Sequence, residues 1–191
     1  MRIVTPTLVA LLAIPSLFGQ NFEGAVSVGA SRVGKSEIGR VDSTSVTLDS
    51  GARAAFRMTL NTGNRTGWEL GYAYNRTHLG VTGGESAGMA IHQGFFDYLL
   101  YATPEGSRVR PFVAGGLHFA NFVPPGASAQ YGQGDTNFGI NYGAGIKFKV
   151  SERWLVRADY RQYNTGKPFD LPGKSGRFLQ NEISLGIGFT M

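Results

Sequence analysis

Any chemistry in this chain proceeds without thiols. The 191 residues include no cysteine, which excludes disulfides, thiolate metal sites and cysteine nucleophiles. The imidazole bases are His78, His92 and His118, and they form no cluster with metal-ligand spacing. His78 follows Thr77, a pairing that reads as structural. Two Gly-x-Gly matches, at 143–145 and 186–188, lie inside alternating apolar stretches and not at a strand-to-helix turn, so they cradle no phosphate. No cofactor is implied. What remains is charge. Arg53, Arg57, Glu69, Asp97, Arg110, Lys147, Lys149, Arg157, Asp159, Arg161 and Glu182 occupy alternate positions opposite bulky apolar residues, seven basic and four acidic. Enclosed on one side of a sheet, such charges are costly unless paired. The expected partners are Arg57 or Arg110 for Asp97, and Arg157 and Arg161 for Asp159 and Glu182.

Positioning these residues requires strands, because the hydrophobic pattern has period two. Eight strands are expected, near 22–31, 50–61, 68–77, 89–101, 108–120, 137–150, 154–163 and 180–191. The sixth is the clearest: Phe138, Ile140, Tyr142, Ala144, Ile146 and Phe148 oppose Asn137, Gly139, Asn141, Gly143, Gly145 and Lys147. In the first, Phe22, Val26 and Val28 oppose Glu23, Ala25 and Ser27. Pro111 cannot donate to a ladder, so it belongs near a strand start or a bulge. The connections alternate. Segments 32–45, 78–88, 121–136 and 164–179 are long and polar, whereas 62–67, 102–107 and 151–153 are short.

Period two does not say which face meets water. A soluble lipocalin-like barrel would hold the bulky set in its cavity; a membrane barrel would turn it outward. Charged residues are only 16%, against about 25% in soluble domains. The polar face is rich in Gly and Ala, which suits a crowded interior. Aromatics gather at strand ends on the apolar face: Phe22, Trp68, Phe148, Trp154 and Phe189 at one end, and Tyr74, Phe119, Phe138 and Tyr160 at the other. Two such belts suit the two membrane–water interfaces. The net charge of +5 is scattered, with no basic stretch interleaved with aromatics, so no nucleic-acid partner is expected.

Residues 1–19 read as a cleaved signal peptide: Arg2, an apolar run from Leu8 to Ile14, Pro15, then Ser16 and Gly19. Residues 20–191 form the remaining domain. The whole of it resembles the small OmpA/OmpX-type outer-membrane β-barrel family. The resemblance rests on the strand rhythm and the end motif Ile183-x-Leu185-x-Ile187-x-Phe189-x-Met191. Members commonly end in Phe; here Met191 is last.

The resemblance implies an all-β, eight-stranded antiparallel up-and-down transmembrane barrel in the bacterial outer membrane. It also implies outer-membrane lipid and lipopolysaccharide as surroundings, the barrel assembly machinery as a partner during biogenesis, and a monomer. His118-Phe119-Ala120-Asn121 is similar to the His-x-Ser-Asn arrangement of lipid A deacylases, but Ala120 stands where the hydroxyl belongs. The expected role is therefore non-enzymatic, an envelope scaffold or a surface interaction through long outer loops. A narrow or gated pore, a soluble binding barrel and a lipid A-modifying enzyme are the alternatives. Loop 121–136 offers Phe122 and Tyr131, and loop 164–179 offers Lys167, Phe169, Lys174, Arg177 and Phe178, as groups that would meet an extracellular ligand, whose identity the sequence does not give. Arg76, on the outward set, would meet a lipopolysaccharide phosphate or simply reach for water.

Overall fold

The computed structural model describes residues 22–33, 37–41, 44–81, 83–84, 86–172 and 176–191. The signal peptide expected over 1–19 lies outside them. Ten strands run β1 (Phe22–Val33), β2 (Glu37–Val41), β3 (Thr44–Leu48), β4 (Gly51–Gly63), β5 (Thr66–Val81), β6 (Ala87–Tyr101), β7 (Val109–Val123), β8 (Asp135–Lys149), β9 (Trp154–Thr165) and β10 (Phe178–Thr190). Eight of them close a barrel. The sheet order is β2-β3-β5-β4-β1-β10-β9-β8-β7-β6, and β5 pairs with β6 to seal it. Every neighbouring pair is antiparallel. Closure leaves the barrel wall no free edge, the condition for sheet in a bilayer.

Alternation sets which side chains enter the lumen. Val28 (68% exposed), Leu117 (66%) and Leu185 (66%) face out, while Glu69, Asp97 and Glu182 are fully enclosed. This is a soluble protein turned inside out, and it disposes of the lipocalin-like arrangement. Glycines clear room for the enclosed side chains. A Cβ at Gly143 would stand 2.1 Å from the Tyr160 carbonyl oxygen and 2.8 Å from the Arg161 side chain, so a larger residue there would displace the β9 backbone as well as the stem of that guanidinium. Pro111 sits near the start of β7.

The barrel strands are longer than the pattern suggests, at 12 to 16 residues. The surplus lies mainly at the long-loop end: β5 runs on to Val81 and β7 to Val123. Segment 32–45, expected as a loop, instead contains β2 and the start of β3. These two strands make a hairpin that carries the β1–β4 pair outward and attaches to the end of β5 through Val46–Val81 and Leu48–Leu79. Its apolar residues are few and short of a clear alternation, and it gains its partners only by bending over the mouth.

Candidate functional site

The enclosed interior is built in tiers, starting at the short-turn end. There Glu23 accepts a hydrogen bond from Lys147 Nζ and another from Asn61 Nδ2 at 2.9 Å. Arg110 approaches Glu23 at 3.9 Å, and its guanidinium lies 3.7 Å from the centroid of the Tyr101 ring. Leu99, Tyr101, Phe112 and Ala114 pack beside this tier.

The middle tier centres on Glu69 of β5. Arg157 and Arg161 of β9, on the opposite wall, reach it at 2.8 and 2.9 Å, and Arg57 lies at 3.6 Å. Thr59 Oγ1 donates to it as well. Asp159 holds Arg157 through two hydrogen bonds of 2.7 and 2.8 Å. Asp97 takes Arg161 and the Asn141 amide. Charge-assisted, forked guanidinium–carboxylate contacts of this kind are the strong class of protein hydrogen bond.

Above them, Glu182 accepts from Arg57 at 2.6 Å, Tyr163 at 2.9 Å and Ser184 at 2.6 Å, with Arg53 Nε at 3.0 Å. Gln93 accepts from Arg53 and donates to Gln180. His118 Nε2 meets Thr165 Oγ1 at 2.7 Å, and its ring stands edge-on to Tyr163.

Two expected pairings are corrected. Asp97 meets Arg161 rather than Arg57 or Arg110, and Glu182 meets Arg53 and Arg57 rather than Arg157 and Arg161. Both corrections have one cause: guanidiniums this long cross the lumen instead of pairing along the wall. The charge balance changes too. Lys149 stands at the rim, and Glu23, placed inward by alternation but left out of the charged set, is enclosed. Among the described residues the interior holds Arg53, Arg57, Arg110, Lys147, Arg157 and Arg161 against Glu23, Glu69, Asp97, Asp159 and Glu182, six cations to five carboxylates.

An apolar cap covers the long-loop end. Ile38, Val46 and Leu48 of the hairpin pack on Met89, Ile91, Phe122 and Phe178, with Phe169 and Leu171 joining from the last long loop. Phe122, Phe169 and Phe178 were expected as exposed ligand-binding aromatics. Phe122 and Phe178 are buried instead, and Phe169 packs half-buried against them, their rings making edge contacts at 5.5 and 6.3 Å. They turn inward because the mouth offers apolar cover, whereas Tyr131 has none and stays 81% exposed. Gly39 allows the closure: a Cβ there would strike Leu171 Cβ at 2.3 Å, and Arg40 N–H donates to Pro172 O next to it.

On the outer surface, Trp68, Phe148, Trp154 and Phe189 lie at the short-turn end with Phe22, and Trp154 packs edge-on against Phe189. Tyr74, Phe119, Phe138 and Tyr160 lie toward the long-loop end. The sequence reading missed the polar companions of the outward tyrosines. Tyr160 OH donates to Asn181, Tyr142 OH to Gln162, and Tyr72 OH bonds His92 Nδ1. The signal was a polar residue breaking the outward apolar set near one end of each strand.

The interior holds charge in place. His118 touches the Thr165 hydroxyl, and its Nδ1 has no partner among the described residues. No group of three or more His, Asp or Glu suited to a metal ion occurs among the described residues.

A family profile described as the outer membrane protein beta-barrel domain matches residues 7–190. The fold is similar to that of Neisserial surface protein A, at 14% identity and a TM-score of 0.64, covering 90% of this chain and 97% of that one. It is likewise similar to OprG from Pseudomonas aeruginosa, at 14% identity and a TM-score of 0.60 over 90% and 97%. The N-terminal barrel domain of Pseudomonas aeruginosa OprF follows at 17% identity and 0.53 over 91% and 99%. No curated protein matches.

Proposed function

The chain belongs to the outer membrane protein β-barrel domain family and resides in the bacterial outer membrane, and we propose that it serves there as a non-enzymatic, plugged anchor. Its role is to stabilise the envelope and to present its long outer loops. One observation carries this reading: the lumen is filled by cross-lumen ion pairs and closed above by the apolar cap. An eight-stranded interior is just wide enough for side chains to fill, and here they do. That leaves the outer wall and the loops as the working surfaces. Residues 1–19 act as the export signal, the alternating apolar β10 is read by the assembly machinery, and the barrel works as a monomer.

The test is complementation of a deletion strain with two chains, the wild type and a variant whose 124–134 loop is replaced by a short turn. A scaffold role predicts that both restore resistance to detergent. A loop-borne role predicts that both restore the barrel but only the wild type restores attachment or ligand capture. Failure of the wild type to change either property would overturn the proposal.

A further inference from the structure

We propose that the outer wall over β5, β6 and β7 is a binding site for one phosphorylated glycolipid of the outer leaflet. The outward column of β6 is unusually low. Gly88 and Ala90 leave a trough between taller residues of the neighbouring strands at its long-loop end, while Gly94, lower down, is itself buried. The register sets Arg76 and Val123 beside Ala90, Tyr74 and Asn121 beside His92, and Tyr72 and Phe119 beside Gly94. The Phe119 ring lies across Gly94, where a Cβ would come within 2.3 Å of it.

The trough has two chambers of different chemistry. The lower is an apolar cavity of about 480 Å³, walled by Leu70, Tyr72, Phe96, Leu117, Phe119 and Phe138. The upper is a niche of about 130 Å³ formed by Arg76, Gly88, Ala90 and the Pro124–Ala127 turn. Gly126 holds that turn at φ 81, and Ala127 N–H donates to Pro124 O. His92, bonded to Tyr72, stands between the chambers.

Arg76 is exposed and pairs with no carboxylate among the described residues. Its guanidinium lies over Gly88. A cation above an apolar groove fits an amphiphile with an anionic head and an acyl chain. The niche lies at the long-loop end, the outward-facing end on the reading above, on which this inference rests. The anionic amphiphile of that leaflet is a phosphorylated glycolipid. The phosphate would accept from Arg76, and one acyl chain would lie along the lower chamber.

Native mass spectrometry of the folded protein in neutral detergent tests this, with bisphosphorylated lipid A, dephosphorylated lipid A and phosphatidylglycerol as probes. One bisphosphorylated lipid A should bind in preference to either of the others. Arg76→Gln should weaken it about fivefold, the scale of one basic contact with an anionic lipid. Ala90→Phe should fill the niche and do the same. Arg153→Gln removes an equal charge at the opposite end and should leave binding unchanged. Equal retention of phosphatidylglycerol, or equal losses in Arg76→Gln and Arg153→Gln, would overturn the site. Either failure leaves the plugged lumen untouched, and a conducting lumen leaves the lipid selectivity untouched. Each variant is first shown to be folded by heat-modifiable migration on a denaturing gel.

Discussion

Glu69 is the residue on which the interior turns. It is fully enclosed and answers three guanidiniums from two walls, Arg57, Arg157 and Arg161. Removing one partner of a buried ionic group strands the others, at a cost of about 3–5 kcal/mol. Glu69→Gln should therefore lower the urea midpoint of unfolding in micelles by that equivalent, and an unchanged midpoint would show that the network is slack. Alternation along each strand puts Glu69, Arg157 and Arg161 on one face, so which of these residues share a face was legible in the sequence. The partners were not. Which guanidinium meets which carboxylate depends on the strand stagger that closes the barrel, and Glu69 to Arg157 is a contact across the lumen between β5 and β9. Glu23 escaped notice as a charge because it stands alone in a strand of small residues, and only closure brings Lys147 to it.

The cap is a matter of elements, and it was the least legible part. The segment from Glu37 to Leu48 carries Ser, Thr, Gly and charge, so it reads as loop; it becomes a hairpin because the mouth supplies the apolar surface that it lacks. Phe169 shows what holds the other side. It adopts φ 64, a left-handed conformation unusual for a bulky residue, and its amide donates to Asp135 at 2.5 Å. A residue in that region carries about 1–3 kcal/mol of strain, sustained by its surroundings. Asp135→Ala should release the turn and withdraw Phe169 from Phe122. An apolar dye would then bind more strongly while the barrel keeps its heat-modifiable migration. Replacing Glu37–Leu48 by a short linker should have the larger effect of the two, since it uncovers Phe122 and Phe178 directly. Loss of heat modifiability in that variant would mean that the hairpin is part of the barrel's stability and not only its cover.

At the scale of the whole molecule, polarity and height agree with a bilayer. Along β10 the outward apolar set runs from Phe189 to Ile183 and gives way at Asn181. Those six steps rise about 20 Å along the strand and about 14 Å along the normal at a tilt near 45°, which fits within the apolar band, about 25 Å tall, of outer-membrane barrels. Trp68 and Trp154, 41% and 52% exposed, both face outward at the short-turn end. Lipids brominated near the headgroup should quench their fluorescence more than lipids brominated at the chain ends, and the reverse order would place the belt elsewhere. The fold was legible because one face had to be apolar over the full span; the sealed mouth was not, because it depends on segments distant in the chain meeting above the lumen. The most direct test of the central claim is single-channel recording of the wild-type protein in planar bilayers. A lumen filled by ion pairs under an apolar cap predicts a flat baseline with no reproducible openings. Discrete, recurring conductance steps from the wild type would contradict it.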